Sequence, residues 1–179
     1  MNILIINGYQ EHEFSKGELN FSLVNVYLNH LRHKHNIQLS SIMNYNIMEE
    51  RNKFLWADLI IYQFPIYWFS VPGKLKLYMD EVFEYNQFYS FADKYGAGGL
   101  MKGKSYILST TWNAPKHAFK TEGEFFSNKD VDDVLLPIHK TMQFCGFTKR
   151  KSISFHNVVK DPQYKEFENQ LIEYIKVEL

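Results

Sequence analysis

Three short segments carry continuous apolar runs at their centres, and such segments allow few folds. Residues 2–7 read N-I-L-I-I-N, residues 58–64 read D-L-I-I-Y-Q-F, and residues 104–111 read K-S-Y-I-L-S-T-T. A strand with one face in water alternates apolar and polar residues. An unbroken apolar strand is covered on both faces, as in a parallel sheet between two layers of helices. Helical periods fill the intervals. Leu19, Leu23, Val26, Tyr27 and Leu31 recur at helical spacing, a short helix is expected over residues 49–57, and Val71-Pro72-Gly73 turns into a helix carrying Leu75, Tyr78, Met79 and Val82 on one face.

Residues 36–43 alternate like a strand near a sheet edge, and Pro65 stops the strand at 58–64. Residues 86–102 form a long connection with Gly96, Gly98 and Gly99. Pro137 fits the first turn of a helix running through Ile138, Thr141, Met142 and Cys145 to a cap at Gly146. Residues 152–155 make the last strand, and Asp161-Pro162 opens a terminal helix with Tyr164, Phe167, Leu171 and Ile175 inward. The alternation predicts a flavodoxin-like α/β three-layer sandwich, with a five-stranded parallel sheet in the order 2-1-3-4-5. Ligands of such sheets sit outside the carboxyl ends of the strands, at the topological switch. A single domain over residues 1–179 is expected, since this length supports one well-buried core and not two ordinary ones.

Composition narrows the partners. With 20 basic and 20 acidic residues the formal charge is zero, so no global field draws the chain to nucleic acid or an anionic membrane. No run approaches the roughly 20 apolar residues of a membrane-spanning helix, and no secretory leader is evident. One cysteine, Cys145, excludes an intrachain disulfide and reads as a buried core thiol, so a reducing cytoplasm is the expected setting. The seven histidines are scattered singly and no metal site is expected; His139 and His156 read as structural or exposed. Aromatics are the unusual component, at 17% with 12 Tyr and 15 Phe, more than packing alone ordinarily requires.

Three loops should converge at the switch. The first holds Ser15, Lys16 and Gly17 immediately before a helix, a natural phosphate site of exposed N–H groups and helix dipole; the plainer reading is a helix capped by Ser15. The second, Pro65-Ile66-Tyr67-Trp68-Phe69, places three consecutive aromatics past a buried strand. They cannot all enter the core, so some line the crevice against a flat ring or form a subunit interface. The third, Thr110-Thr111-Trp112-Asn113-Ala114-Pro115, offers N–H groups, hydroxyls and an amide to the pyrimidine edge of a flavin.

Taken together, Y-Q-F-P-I-Y-W, K-Y-G-A-G-G-L-M-K-G-K, S-T-T-W-N-A-P and L-P-I-H-K-T-M-Q-F-C-G resemble the bacterial modulator-of-drug-activity-type NAD(P)H:quinone reductases, relatives of the DT-diaphorases. The opening N-I-L-I-I-N-G and the S-x-G-x-L-N step fit as well, and the resemblance covers nearly the whole chain. It implies FAD, a homodimer, and two-electron reduction of quinones by NADPH or NADH in a ping-pong cycle. It places the FAD phosphates and adenosine at Ser15, Lys16, Gly17, Glu18, Leu19, Asn20, Phe21 and Ser22, and the isoalloxazine at Pro65, Ile66, Tyr67 and Trp68. Tyr95 approaches the flavin across the dimer, and Thr111, Trp112, Asn113 and Ala114 hold the ring edge. The family pattern of Gly-Trp-Trp after the proline is here Ile66-Tyr67-Trp68, on the wall the substrate meets. No side chain is obligatory as acid or base, and Tyr67, Tyr95 and His117 are the candidate proton donors. The alternatives are an FMN-dependent azo- or nitroreductase and a flavodoxin-type electron carrier, the latter opposed by the near-zero charge.

Overall fold

The computed structural model describes residues 1–13 and 15–179. Its elements run β1 (Asn2–Asn7), α1 (Glu18–Leu31), β2 (Asn36–Ser41), α2 (Ile47–Trp56), β3 (Leu59–Pro65), α3 (Gly73–Val82) and β4 (Ser105–Thr111), then α4 (Val131–Val134), α5 (Leu136–Phe144), β5 (Thr148–Lys149), β6 (Ile153–Phe155) and α6 (Tyr164–Glu178). All pairings are parallel, in the order β2-β1-β3-β4-β5, with β6 also on β4. The expected strand order therefore holds.

The apolar runs behave as their composition requires. Ile3, Leu4, Ile5 and Ile6 of β1 and Leu59, Ile60, Ile61 and Tyr62 of β3 are wholly buried, because each strand has helices on both sides. On one face Ile3, Ile5, Leu59, Ile61 and Ile107 pack under α1 and α6 with Leu23, Tyr27 and Leu171. On the other, Leu4, Ile60, Tyr62 and Leu108 pack under α2, α3 and α5 with Phe54, Tyr78 and Met142. Aromatic bulk fills this second core: Phe54 touches the rings of Tyr62, Tyr78, Phe83, Phe88 and Phe147.

Three details depart from the sequence reading. The last strand expected over residues 152–155 is β6, and a further two-residue strand, β5, precedes it; four residues span Lys149 to Ile153 where three span their partners Tyr106 to Ser109 on β4. The extra residue is a bulge that interrupts the ladder. A further helix, α4, precedes the one opened by Pro137; Asp130 and Asp133 cap it reciprocally. Tyr164, expected inward, is exposed, and Tyr174 is buried in α6 instead. Cys145 is buried, and burial pushes its thiol up to about 12.

Candidate functional site at the carboxyl ends of the strands

β1, β3 and β4 are neighbours in the sheet, so the loops leaving their carboxyl ends lie side by side. The contacts between these loops are specific. The Tyr67 hydroxyl donates to the Gln10 carbonyl (2.8 Å), and the ring of His12 meets that of Tyr67 edge-on at 5.7 Å, joining the first loop to the second. Ile66 N–H donates to the Thr111 carbonyl (3.0 Å), joining the second to the third. Gln10 also fastens the first loop to α3, its side-chain oxygen accepting from Lys74 N–H at 2.8 Å.

The first loop ends in a glycine for two reasons. Gly17 has φ 77°, and a Cβ there would lie 2.7 Å from the ring of Tyr9. Gly17, not Ser15, is the residue preceding α1, and no side chain caps the helix. The Tyr9 hydroxyl instead donates to the Ser15 carbonyl (2.8 Å), holding the loop from below. The first helical bond runs from Phe21 N–H to the Gly17 carbonyl, and the N–H groups of Leu19 and Asn20 have no backbone partner among the described residues. An uncapped helix start whose N–H groups lack backbone partners among the described residues, with a cation, Lys16, beside it, suits an anion such as a phosphate. This is the fit the expected cofactor requires of the chain.

The second loop is a tight turn. Tyr67 and Ser70 exchange both backbone hydrogen bonds, while Trp68 and Phe69 sit between them at φ 48° and 63°. Two left-handed central residues define a type I′ turn, ordinarily Asn-Gly. Bulky residues there cost on the order of 1–2 kcal/mol each. The strained turn displays Trp68, which is 92% exposed, and lays Phe69 against Phe125 and Phe126 (5.5 and 5.3 Å between ring centroids). Tyr67 is half-buried; burial raises its phenol above the ordinary range, and its proton is already committed to Gln10.

The third loop divides its residues between core and crevice. Trp112 is buried: its indole N–H donates to the Thr110 hydroxyl (2.8 Å) and its backbone N–H to the Phe155 carbonyl (2.8 Å). Asn113 is exposed and Ala114 partly so, and their N–H groups have no backbone partner among the described residues. His156, absent from the sequence-based site, supports this loop. One ring nitrogen hydrogen-bonds the Ala114 carbonyl (3.1 Å), the other the Ser154 hydroxyl (3.0 Å), and the ring lies along Trp112. Burial lowers its pKa, favouring the neutral imidazole. His117 is exposed in a 3-10 turn (Lys116–Ala118) just beyond. His139 is structural, buried between the Tyr106 hydroxyl (2.7 Å) and Asp132 (3.0 Å).

Beneath the crevice lies a row of polar residues that the sequence reading passed over. Asn7, Gln63 and Ser109 are register partners on three adjacent strands, each two residues beyond an apolar partner (Ile5, Ile61, Ile107). All three are buried.

Tyr95 is not brought to these loops by its own chain. It is 92% exposed and packs on Phe144, just before the segment that joins β4 at its first residue, Ser105. It lines instead a cleft of about 820 Å³ between α3 and α5, with Met79, Phe83 and Phe144.

Fold and site together define a doubly wound α/β protein whose loops after β1, β3 and β4 are joined to one another at its topological switch. The flavodoxin-like fold family model matches residues 1–177, and the chain belongs to that family. NADPH:quinone oxidoreductase MdaB of Haemophilus influenzae is 36% identical over 185 residues, covering 93% of each chain. An uncharacterised Schizosaccharomyces pombe protein is 41% identical over 175 residues, covering 91% of this chain and 89% of its own. Among solved structures, general stress protein 14 of Treponema denticola, in complex with FMN, shares the fold with a TM-score of 0.76 at 22% identity, covering 98% of this chain and 95% of that one. No described helix is long and apolar enough to cross a membrane.

Proposed function

We propose that this chain is an FAD-dependent NAD(P)H:quinone oxidoreductase working by a ping-pong cycle. The observation that carries the reading is the arrangement of the loops: N–H groups of two loops that have no backbone partner among the described residues flank an exposed aromatic turn in a relative of MdaB. When bound, the flavin supplies the centre that takes hydride from NAD(P)H and passes two electrons to a quinone. The protein's part is to bind, orient and shield. The α1 N-terminus, with Ser15, Lys16 and Gly17 before it, meets the phosphates, and residues 18–22 line the adenosine side. Asn20 serves through its backbone N–H, and Trp112, whose own N–H is held by Phe155, serves by bracing the third loop from within. Pro65, Ile66, Tyr67 and Trp68 form the wall against the ring. Asn113 and Ala114 direct N–H groups at the pyrimidine edge, where donors stabilise negative charge that develops on reduction. With the Tyr67 proton committed to Gln10, His117 and solvent are left to supply protons on this chain.

A homodimer belongs to the same proposal. The α3–α5 cleft, lined by Met79, Phe83, Phe144 and the exposed Tyr95, makes a face that a second copy would cover, carrying Tyr95 toward the partner's loops. The second reading, an FMN-dependent azo- or nitroreductase, is favoured by the FMN in the Treponema neighbour. Stopped-flow half-reactions test the proposal. Anaerobic NADPH should bleach the flavin absorbance, and a quinone added afterwards should restore it at a rate independent of the nicotinamide. Bleaching without reoxidation by any quinone would contradict it.

A further inference from the structure

The polar row beneath the crevice has no role in closing the core. Its neighbours on the same sheet face are isoleucines, and a valine or leucine in place of Gln63 would bury more apolar surface without amides to satisfy. Burying an amide costs on the order of 1–3 kcal/mol unless it is hydrogen-bonded, so each member needs a partner, and the partners form a directed chain. The Ser109 hydroxyl donates to Gln63 Oε1 (2.6 Å), Gln63 Nε2 donates to Asn20 Oδ1 (3.0 Å), and Asn20 Nδ2 donates to Asn7 Oδ1 (2.6 Å). Tyr9 N–H donates to the same Asn7 oxygen (3.1 Å). Gln63 is wholly buried at the middle of this chain.

Gln63 also touches both ends of the first loop. Its backbone carbonyl accepts from Gly8 N–H (2.8 Å), where the chain leaves β1. Its side chain holds Asn20, in the first turn of α1, where the chain returns. Between these two fixed points lie Tyr9, which props Ser15, and Gly17, which opens the helix. We propose that Gln63 is a positioning residue of the phosphate-binding loop. Clamping both ends of the loop sets the direction in which the N–H groups at the start of α1, without backbone partners among the described residues, point. Gln63 would touch no part of the flavin; it acts through Gly8 and Asn20. The proposal rests on the flavin reading above and adds the device that shapes its phosphate end.

The test exploits flavins that differ in the phosphate. Riboflavin, FMN and FAD are titrated into flavin-stripped full-length protein by fluorescence quenching, for wild type and for Gln63→Met, which keeps length and volume but makes neither amide bond. Preorganisation worth one or two hydrogen bonds predicts that FMN and FAD affinity falls by about tenfold or more. Riboflavin affinity should stay within about twofold, since its ring contacts come from the other two loops. Equal weakening for all three flavins would mean a merely structural role, and unchanged FMN and FAD affinity would mean no role; either overturns the proposal. Wild-type protein that binds none of the three removes the flavin reading itself, a result distinct from both. If Gln63→Met does not fold, Ser109→Ala removes one donor from the chain and should give a smaller loss with the same phosphate selectivity. A selectivity unchanged in that variant also overturns the proposal.

Discussion

Gly17→Ala is the perturbation whose consequence can be worked most fully from the geometry. The position has φ 77°, where an L-residue costs roughly 1–2 kcal/mol more than glycine. The added methyl would also stand 2.7 Å from three atoms of the Tyr9 ring, which must swing away. That movement forfeits the hydrogen bond from the Tyr9 hydroxyl to the Ser15 carbonyl, worth about 1 kcal/mol. Dihedral strain, displaced ring and lost bond together give about 3 kcal/mol of destabilisation. For a chain of this size that is a fall of roughly 6–12 °C in Tm. Urea unfolding should be followed on flavin-free protein, so that ligand linkage does not enter. The two sources separate in a double-mutant cycle. With Tyr9→Ala in place there is no ring to displace, and Gly17→Ala should then cost only the dihedral part, about 1–2 kcal/mol. A cost below about 0.5 kcal/mol in the wild-type background, or the same cost in both backgrounds, would refute the argument.

Two further outcomes are expected. Trp68→Asn suits the left-handed turn better than Trp and removes a nearly fully exposed ring, so thermal unfolding should move up by about 2–4 °C while steady-state assays show a higher quinone KM; lower stability would refute the strain argument. Burial alone would raise the Asp132 carboxyl, but the hydrogen bonds from His139 and Lys149 outweigh it and hold the group well below the usual carboxylate range. A depressed folded value means that the contribution is complete above the unfolded pKa of about 3.9 and is lost as pH falls toward the folded one. Urea denaturation from pH 7 to pH 3 should therefore show wild type more stable than Asp132→Asn at neutral pH, with the gap closing below about pH 4; a constant gap would contradict this.

Much of the fold was legible because its strands announce themselves. Ile3 to Ile6 and Leu59 to Tyr62 form unbroken apolar runs, which a doubly covered parallel sheet accommodates. What escaped reading depended on register or on backbone dihedrals. The bulge between β5 and β6 is a one-residue difference between pairing partners, invisible until the pairs are known. Asn7, Gln63 and Ser109 lie 46 or more residues apart from one strand to the next, and only the register aligns them into a row. The Trp68-Phe69 turn lacks the Asn-Gly that marks its type, so its left-handed backbone could not be anticipated. In the site, the loops were foreseen and the direction of individual side chains was not. Asn20 and Trp112 turn inward, the Ser15 hydroxyl does not cap the helix, which Gly17 precedes as expected, and Tyr95 lies on the α3–α5 face.

The central claim is that this crevice holds a flavin, and that the flavin is FAD. Denaturing the purified holoprotein and separating the released cofactor chromatographically tests it most directly. The account predicts FAD close to one equivalent per chain. FMN in its place would contradict the cofactor assignment and favour the azo- or nitroreductase reading, and protein that releases no flavin and cannot be reconstituted with one would contradict the claim as a whole.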